Sequence, residues 1–277
     1  MTFSIVARSA DGESWGVAVA SKFLAVGNAV PAAVAQLGAV ATQADANVAF
    51  KGLALAYLDE GATAGAALHR LLEEDDKREE RQVGIVDAEG NAATHTGRNC
   101  FDWAGGLLGN GVAVQGNILA GSHVVEAMLE AWEESDPDAP LSRRLLAALK
   151  AGDEAGGDKR GRQSAALLVV KEGAGYGGND DVAVDLRVDD NPAPCTELER
   201  LLTLNDLFLT ASEEGEKVEV TPELAKELDE RVKALGHPDL AAWVGTENYE
   251  MRVADDGSWI DQQILDILRD GEGTDEA

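Results

Sequence analysis

Hydrophobic residues alternate with small or polar ones over 3–7, break at Asp11-Gly12 and resume over 15–20, which predicts two strands joined by a turn. Ala29-Val30 and Ala39-Val40 predict two further short strands. The period then lengthens. Phe50, Leu53 and Tyr57 share one helical face, and Leu68, Leu71 and Leu72 share a second. A hairpin is expected over 82–86 and 92–96, turning at Glu89-Gly90, with a short strand at 112–114. Two more helices follow, one striped by Val124, Val125, Met128, Leu129 and Trp132, the next by Leu141, Leu145 and Leu149. Strands return at 165–170 and 182–188 across a glycine-rich loop at 172–180. Strand blocks segregated from helix pairs argue for an α+β fold with antiparallel sheets. Two sheets between two helical layers, a four-layer αββα sandwich, would cover both.

After Asn191-Pro192 the pattern changes. Thr196 with Glu199 predicts a capping box for a helix through Phe208. The polar stretch 211–218 reads as a linker. Thr221-Pro222 starts another helix, with Leu224, Leu228, Val232 and Leu235 on its apolar face and Gly236 at its end. The expected organisation is therefore a main domain over 1–210, then a linker and a small, mostly helical C-terminal region over 211–277. Trp243 and Trp259 are expected on its exposed surface, available to the main domain or a second subunit.

Composition changes the picture in one respect. There are 51 acidic against 23 basic residues, a net charge of -28, dispersed along the chain with modest clusters at 73–76 and 271–277. Such a chain repels nucleic acid and anionic membranes, so neither is an expected partner. Lysine is the minority cation, nine against fourteen arginines. Dispersed acid with little lysine fits a halophilic surface; a functional acidic face is the alternative. Two cysteines are too few for a disulfide framework or a cysteine-built metal site. No basic region followed by an apolar stretch opens the chain, and the alanine-rich run 23–42 is broken by Asn28, Pro31 and Gln36. A cytoplasmic protein is expected.

Thr2 follows Met1 directly, and methionine before a small residue is commonly removed. A terminal threonine would carry a hydroxyl nucleophile and an α-amine of ordinary pKa near 8 on one residue, so the amine can serve as base. The bland alternative is that threonine is a common second residue.

The segments MTFSIVAR, GVAVASKFLAVG, GAVATQA, RQVGIVDAEG, THTG, GVAVQGNILAG and GGDKRGRQSAALLVV, in that order, resemble the family known as domain of unknown function 1028, over residues 1 to about 190. ENYEMR and GSWIDQQILDILR resemble a shortened form of the peptidoglycan-binding-like tail that accompanies it. The resemblance implies the N-terminal-nucleophile hydrolase superfamily and its αββα sandwich. Proteasome-like relatives keep charged residues near the position of Lys22.

Lys22 closes the second strand, where its charge would lower the pKa of a neighbouring amine or hydroxyl; a surface lysine is the alternative. Ser21 beside it could bond the Thr2 amine. Thr42, Gln43 and Asp45 are expected at a strand-to-helix junction, where ligands bind or caps form. Gln115-Gly116-Asn117 could supply an amide and a glycine N–H to an oxyanion, or could simply form a tight turn. The run 156–164, with Asp158, Arg160, Gln163 and Ser164, suggests recognition of a carboxylate, or an Asp158–Arg160 pair bracing a loop. Of four scattered histidines, only His95 falls near these segments, and no metal-ligand spacing occurs. The glycines at 105–109 lack the lysine and hydroxyl residue of a phosphate loop. No metal or organic cofactor is expected.

The function expected is an N-terminal-threonine amidohydrolase acting on a small amide, with Thr2, Lys22 and Asn117 catalytic. The alternatives are the same fold with non-Thr2 chemistry, such as cyclic-amide hydrolysis, or a non-catalytic binding protein. The expected partners are a small-molecule amide substrate and a second copy in a homodimer.

Overall fold

The computed structural model describes residues 2–271; Met1 and the acidic end at 272–277 lie outside them. β1 (Thr2–Arg8) and β2 (Ser14–Ser21) pair antiparallel, Phe3 opposite Ala20, around a turn in which Gly12 has a φ of 78°. Only glycine takes that conformation without strain. The expected strand at Ala29-Val30 does not form. Val26–Ala29 is a single helical turn, α1, and β3 begins at Pro31 (Pro31–Val34). Proline cannot donate to a ladder, and β3 is accordingly an edge strand that it opens.

β4 (Gly38–Ala44) leads into α2 (Ala49–Asp59) and α3 (Ala64–Glu73). Phe50, Ala54, Tyr57 and Leu58 face the core, whereas Leu53 is 40% exposed, so the buried stripe is rotated from the expected one. β5 (Arg81–Asp87) and β6 (Ala92–Thr96) form the expected hairpin. β7 (Gly105–Gly109), absent from the sequence reading, pairs with β8 (Val112–Asn117), which runs on past the expected end to Asn117. α4 (His123–Glu134) and α5 (Leu141–Glu154) follow, then β9 (Ser164–Lys171) and β10 (Val182–Val188).

The result is a mixed α+β arrangement of two antiparallel sheets. One has the order β10-β9-β2-β1-β8-β7, the other β3-β4-β5-β6. Their facing sides meet through Val6, Val17, Val19, Ala39, Ala41 and Val86. α5 lies on β1, β2 and β9, and α4 on β7 and β8. α2 and α3 cover the smaller sheet through Phe50, Tyr57, Leu68 and Leu71 against Val40, Val83 and Ile85.

α6 (Pro194–Leu209) starts at Pro194, after Asn191 Oδ1 accepts from the Ala193 N–H at 2.8 Å; Thr196 lies inside it and is not its cap. The chain divides into two compact units, Met1–Leu201 and Leu202–Ala277. In the second, 211–218 is not a free linker. Ser212 donates to buried Asp261, and β11 (Lys217–Glu219) precedes α7 (Pro222–Ala234), which is capped as expected by Thr221 accepting from the Leu224 N–H at 3.2 Å. α8 (Leu240–Glu247) is followed by β12 (Trp259–Asp261), which pairs with β11, and by α9 (Gln262–Asp270). Trp243, expected at the surface, is 3% exposed because it packs on Tyr249, their ring centroids 5.3 Å apart. Among the described residues no helix is long and apolar enough to cross a membrane.

Candidate functional site

The seam between the two sheets changes character along its length. On β1 the side chains of Thr2, Ser4 and Val6 alternate toward the smaller sheet, because successive strand residues point to opposite faces. Val6 belongs to the apolar part of the seam. Thr2 and Ser4 belong to a buried polar part, with Gln43 of β4, Gln82 of β5 and Gln115 and Asn117 of β8. Register brings them together: Thr2 opposes Asn117, Ser4 opposes Gln115, and Gln43 opposes Gln82.

Thr2 is 6% exposed, and its Oγ1 lies 3.2 Å from Ser21 Oγ at the end of β2. Its carbonyl accepts from Gln43 Nε2 at 3.3 Å and, more distantly, from Asn117 Nδ2 at 3.5 Å. Ser4 Oγ donates to Gln43 Oε1 and accepts from Gln115 Nε2, both at 2.7 Å. Gln82 joins the sheets, accepting from Gln43 Nε2 at 2.8 Å and Asn117 Nδ2 at 2.9 Å. Buried polar groups of this kind are costly unless satisfied, and satisfied networks fix one geometry.

The segment at 157–161 crosses the ends of the two strands that flank Thr2. The Asp158 carboxylate accepts from the Lys22 peptide N–H at 2.7 Å, just beyond β2. Asp158 also bridges to Leu119, and the Gly157 carbonyl accepts from the Ala120 N–H, just beyond β8. Arg160 forms an ion pair with Asp158 at 3.2 Å, the bracing arrangement. Lys22 sends its ammonium to the Arg162 carbonyl at 3.2 Å.

The other candidates serve elsewhere. Thr42 lies within β4, and its hydroxyl donates to the Asn47 carbonyl at 3.3 Å. Ser164 donates to the Phe23 carbonyl and accepts from the Val26 N–H, tying β9 to the start of α1. Gln163 reaches Asp190 at 3.0 Å, and His95 meets the Arg78 carbonyl at 2.9 Å. Asp45 pairs with Arg81 at 3.3 Å. Ser4 and Gln82 are the central residues that the sequence reading missed. For Ser4 a signal existed, two residues beyond Thr2 on the same strand face.

A cavity of about 430 Å³ lies in the second unit, lined by Leu240, Val244 and Val253 with Asp239, Glu250 and Asp256. Its described lining carries no hydroxyl or thiol side chain.

Fold and site together describe an α+β protein whose first strand presents a buried threonine on a polar seam. The chain belongs to the Family of unknown function (DUF1028), whose model matches residues 2–198. Residues 207–268 match a model described as "Putative peptidoglycan binding domain". A solved structure of a protein of the same family from Silicibacter pomeroyi is 32% identical, covers 74% of this chain and 89% of its own, and superposes with a TM-score of 0.67. The Gly-1 mutant of Anbu from Hyphomicrobium sp. strain MC1 is 12% identical over 77% of this chain and 99% of its own, with a TM-score of 0.36. Anbu, an ancestral β-subunit, from Yersinia bercovieri is 11% identical over 73% and 96%, with a TM-score of 0.35. No curated protein matches the chain.

Proposed function

We propose that the first unit is a four-layer αββα sandwich of the N-terminal-nucleophile type, and that it hydrolyses a small amide with Thr2 as nucleophile. One observation carries this reading. Thr2 opens β1, a strand inside the larger sheet, flanked by the ends of β2 and β8, with its hydroxyl 3.2 Å from Ser21. Two facing sheets with a helix pair on each outer side suit that sandwich.

The chemistry requires Thr2 to carry a free α-amine. As Thr2 Oγ bonds to the substrate acyl carbon, its proton passes to the amine. Collapse breaks the acyl C–N bond, and the ammonium returns the proton to the departing nitrogen. Water then adds to the acyl ester, the amine taking a proton from it. Release of the acid restores the Thr2 hydroxyl with that proton. Ser21 is placed to orient the hydroxyl, while Gln43 and Asn117 hold the Thr2 carbonyl.

The match over 207–268 supports a separate role for the second unit, retention of the chain on a peptidoglycan-type polymer.

Intact mass and an electrophilic amide mimic test the catalytic reading. The expected results are a chain beginning at Thr2 and a covalent adduct on that residue. Retention of Met1, or an adduct confined to another side chain, overturns it.

A further inference from the structure

Gln82 sits where four polar side chains meet, and its orientation is not arbitrary. Its Nε2 lies 2.7 Å from the Gly116 carbonyl, 3.2 Å from the Gly105 carbonyl and 2.9 Å from Thr96 Oγ1. Backbone carbonyls only accept, so the atom facing them is the amide nitrogen. The other end of the carboxamide is therefore oxygen. It faces Gln43 at 2.8 Å and Asn117 at 2.9 Å, so both of those side chains must present nitrogen. Gln43 Oε1 is left to take the Ser4 hydroxyl. Ser4 Oγ can then accept from Gln115, whose nitrogen also faces the Ser4 carbonyl and is fixed by it. Every step of the chain of donors agrees with the next.

The consequence falls on Asn117. Its Nδ2 is committed to Gln82 and, at the longer distance, to the Thr2 carbonyl. Its Oδ1, the other end of the same carboxamide, takes no part in either bond. Asn117 stands opposite Thr2 in the β1–β8 register.

We propose that Asn117 meets the reacting end of β1 through Oδ1, as a hydrogen-bond acceptor, and that Gln82 is the positioning residue that holds it so. The group received is a nitrogen-bound proton, from the Thr2 amine or from the substrate amide. This reverses the sense in which an oxyanion would use the side chain, because an oxyanion needs donors. The orientation follows from bonds between the sheets alone; its part in turnover rests on the Thr2 reading above.

Side-chain amide exchange measured by NMR on the full-length, 15N-labelled protein tests the orientation without any substrate. Both Asn117 Nδ2 protons are expected to exchange about 100-fold more slowly than a free asparagine amide, because both are bonded inward. Gln82→Met keeps the length of the side chain, removes its acceptor and donor, and is expected to abolish most of that slowing. Free-rate exchange in the wild-type protein overturns the proposal whether or not Gln82→Met folds. Unchanged slow exchange in a folded Gln82→Met protein removes Gln82 from its positioning role.

The pKa of the Thr2 amine, followed by its 15N shift, separates the two sources of the proton. Asn117→Ala lowers it by about one pH unit if the amine is the donor, because an acceptor favours the protonated form. An unmoved amine assigns the donor to the substrate. If Thr2 has no free amine, the catalytic reading falls while the exchange result stands.

Discussion

Gly84 of β5 offers bare backbone to the carboxamide of Gln115 on β8: a Cβ on Gly84 would lie 2.2 Å from Gln115 Oε1 and 2.6 Å from its Cδ. The two residues belong to different sheets, so the glycine sets how closely the polar part of the seam closes. The Gln115 side chain cannot simply swing aside, because its nitrogen is bonded to Ser4.

Gly84→Ala should therefore destabilise the protein. Displacing Gln115 leaves buried polar groups unpaired, at about 1–3 kcal/mol. That exceeds the roughly 0.4–1 kcal/mol that the substitution recovers by restricting the unfolded chain. Denaturant midpoints check this, and the penalty should shrink in a Gln115→Ala background, where the clash is gone. A Gly84→Ala protein as stable as wild type refutes the account.

Acid sensitivity should centre on Asp75 and Arg81. Arg81, at the head of β5 and next to Gln82, donates to Asp75 from Nε at 2.7 Å, with both residues buried. The hydrogen bond from Arg81 lowers the Asp75 pKa, against an upward push from burial. A depressed native pKa means stability that is present above the ordinary carboxylate value of about 4 and lost as pH falls through the native one. Asp75→Asn should cost about 1–3 kcal/mol near neutrality, since Asp45 still faces Arg81. Urea melts from pH 7 to 3 should show the gap between the two proteins closing on acidification; a gap independent of pH contradicts the assignment.

In the second unit, Tyr249 is fully buried between Phe208 and Trp243, and its hydroxyl has no partner among the described residues. Burial accordingly raises its pKa, with Glu247 adding to the rise. Tyr249→Phe removes the unpaired group and keeps the ring, so it should leave the unit as stable or more stable, by up to about 1 kcal/mol. A clear loss of stability in a thermal melt would instead reveal a bonded hydroxyl.

The charge imbalance of -28 leads to a prediction about salt. Self-repulsion among dispersed carboxylates falls as the screening length contracts to about 3 Å at 1 M salt. The melting temperature should climb through a KCl series toward molar concentrations. A flat or falling series favours an acidic face made for a partner.

What the sequence exposed was whatever a single strand or helix can write in its own period. The alternation over β1 and β2, the hairpin of β5 and β6 and the stripes of α4 and α5 are of this kind. β7 was hidden because glycines at 105, 106 and 109 leave little side-chain alternation to read. Trp243 was misplaced because burial against Tyr249 depends on how 240–247 packs, which its own pattern does not state. Thr2 and Asn117 could be singled out as chemical groups. Gln82 could not, since its meaning comes from the pairing of β4 with β5 and from one sheet lying over the other. The direction of the Asn117 amide has the same origin: main-chain carbonyls of Gly105 and Gly116, remote in sequence from Gln82, decide it.

The decisive set of variants concerns Thr2. Thr2→Ala removes the hydroxyl and should abolish turnover with little effect on the fold, because a small side chain at the very end of a strand contributes little packing. Thr2→Ser keeps a hydroxyl beside the amine and should retain part of the activity. One extra residue before Thr2 leaves the hydroxyl in place but turns the amine into a peptide nitrogen, which has no basicity near neutral pH. If the amine is the base, that extended protein should be as inactive as Thr2→Ala. If Thr2 only binds or orients, the extended protein should keep its rate. A screen of small amides, including γ-glutamyl and cyclic ones, supplies the substrate. The rate profile of wild type should then rise with pH through the amine pKa, as its basic form appears. Wild-type rates from both Thr2→Ala and the extended protein would remove Thr2 from the mechanism and direct attention to Lys22, Asn117 and Arg160.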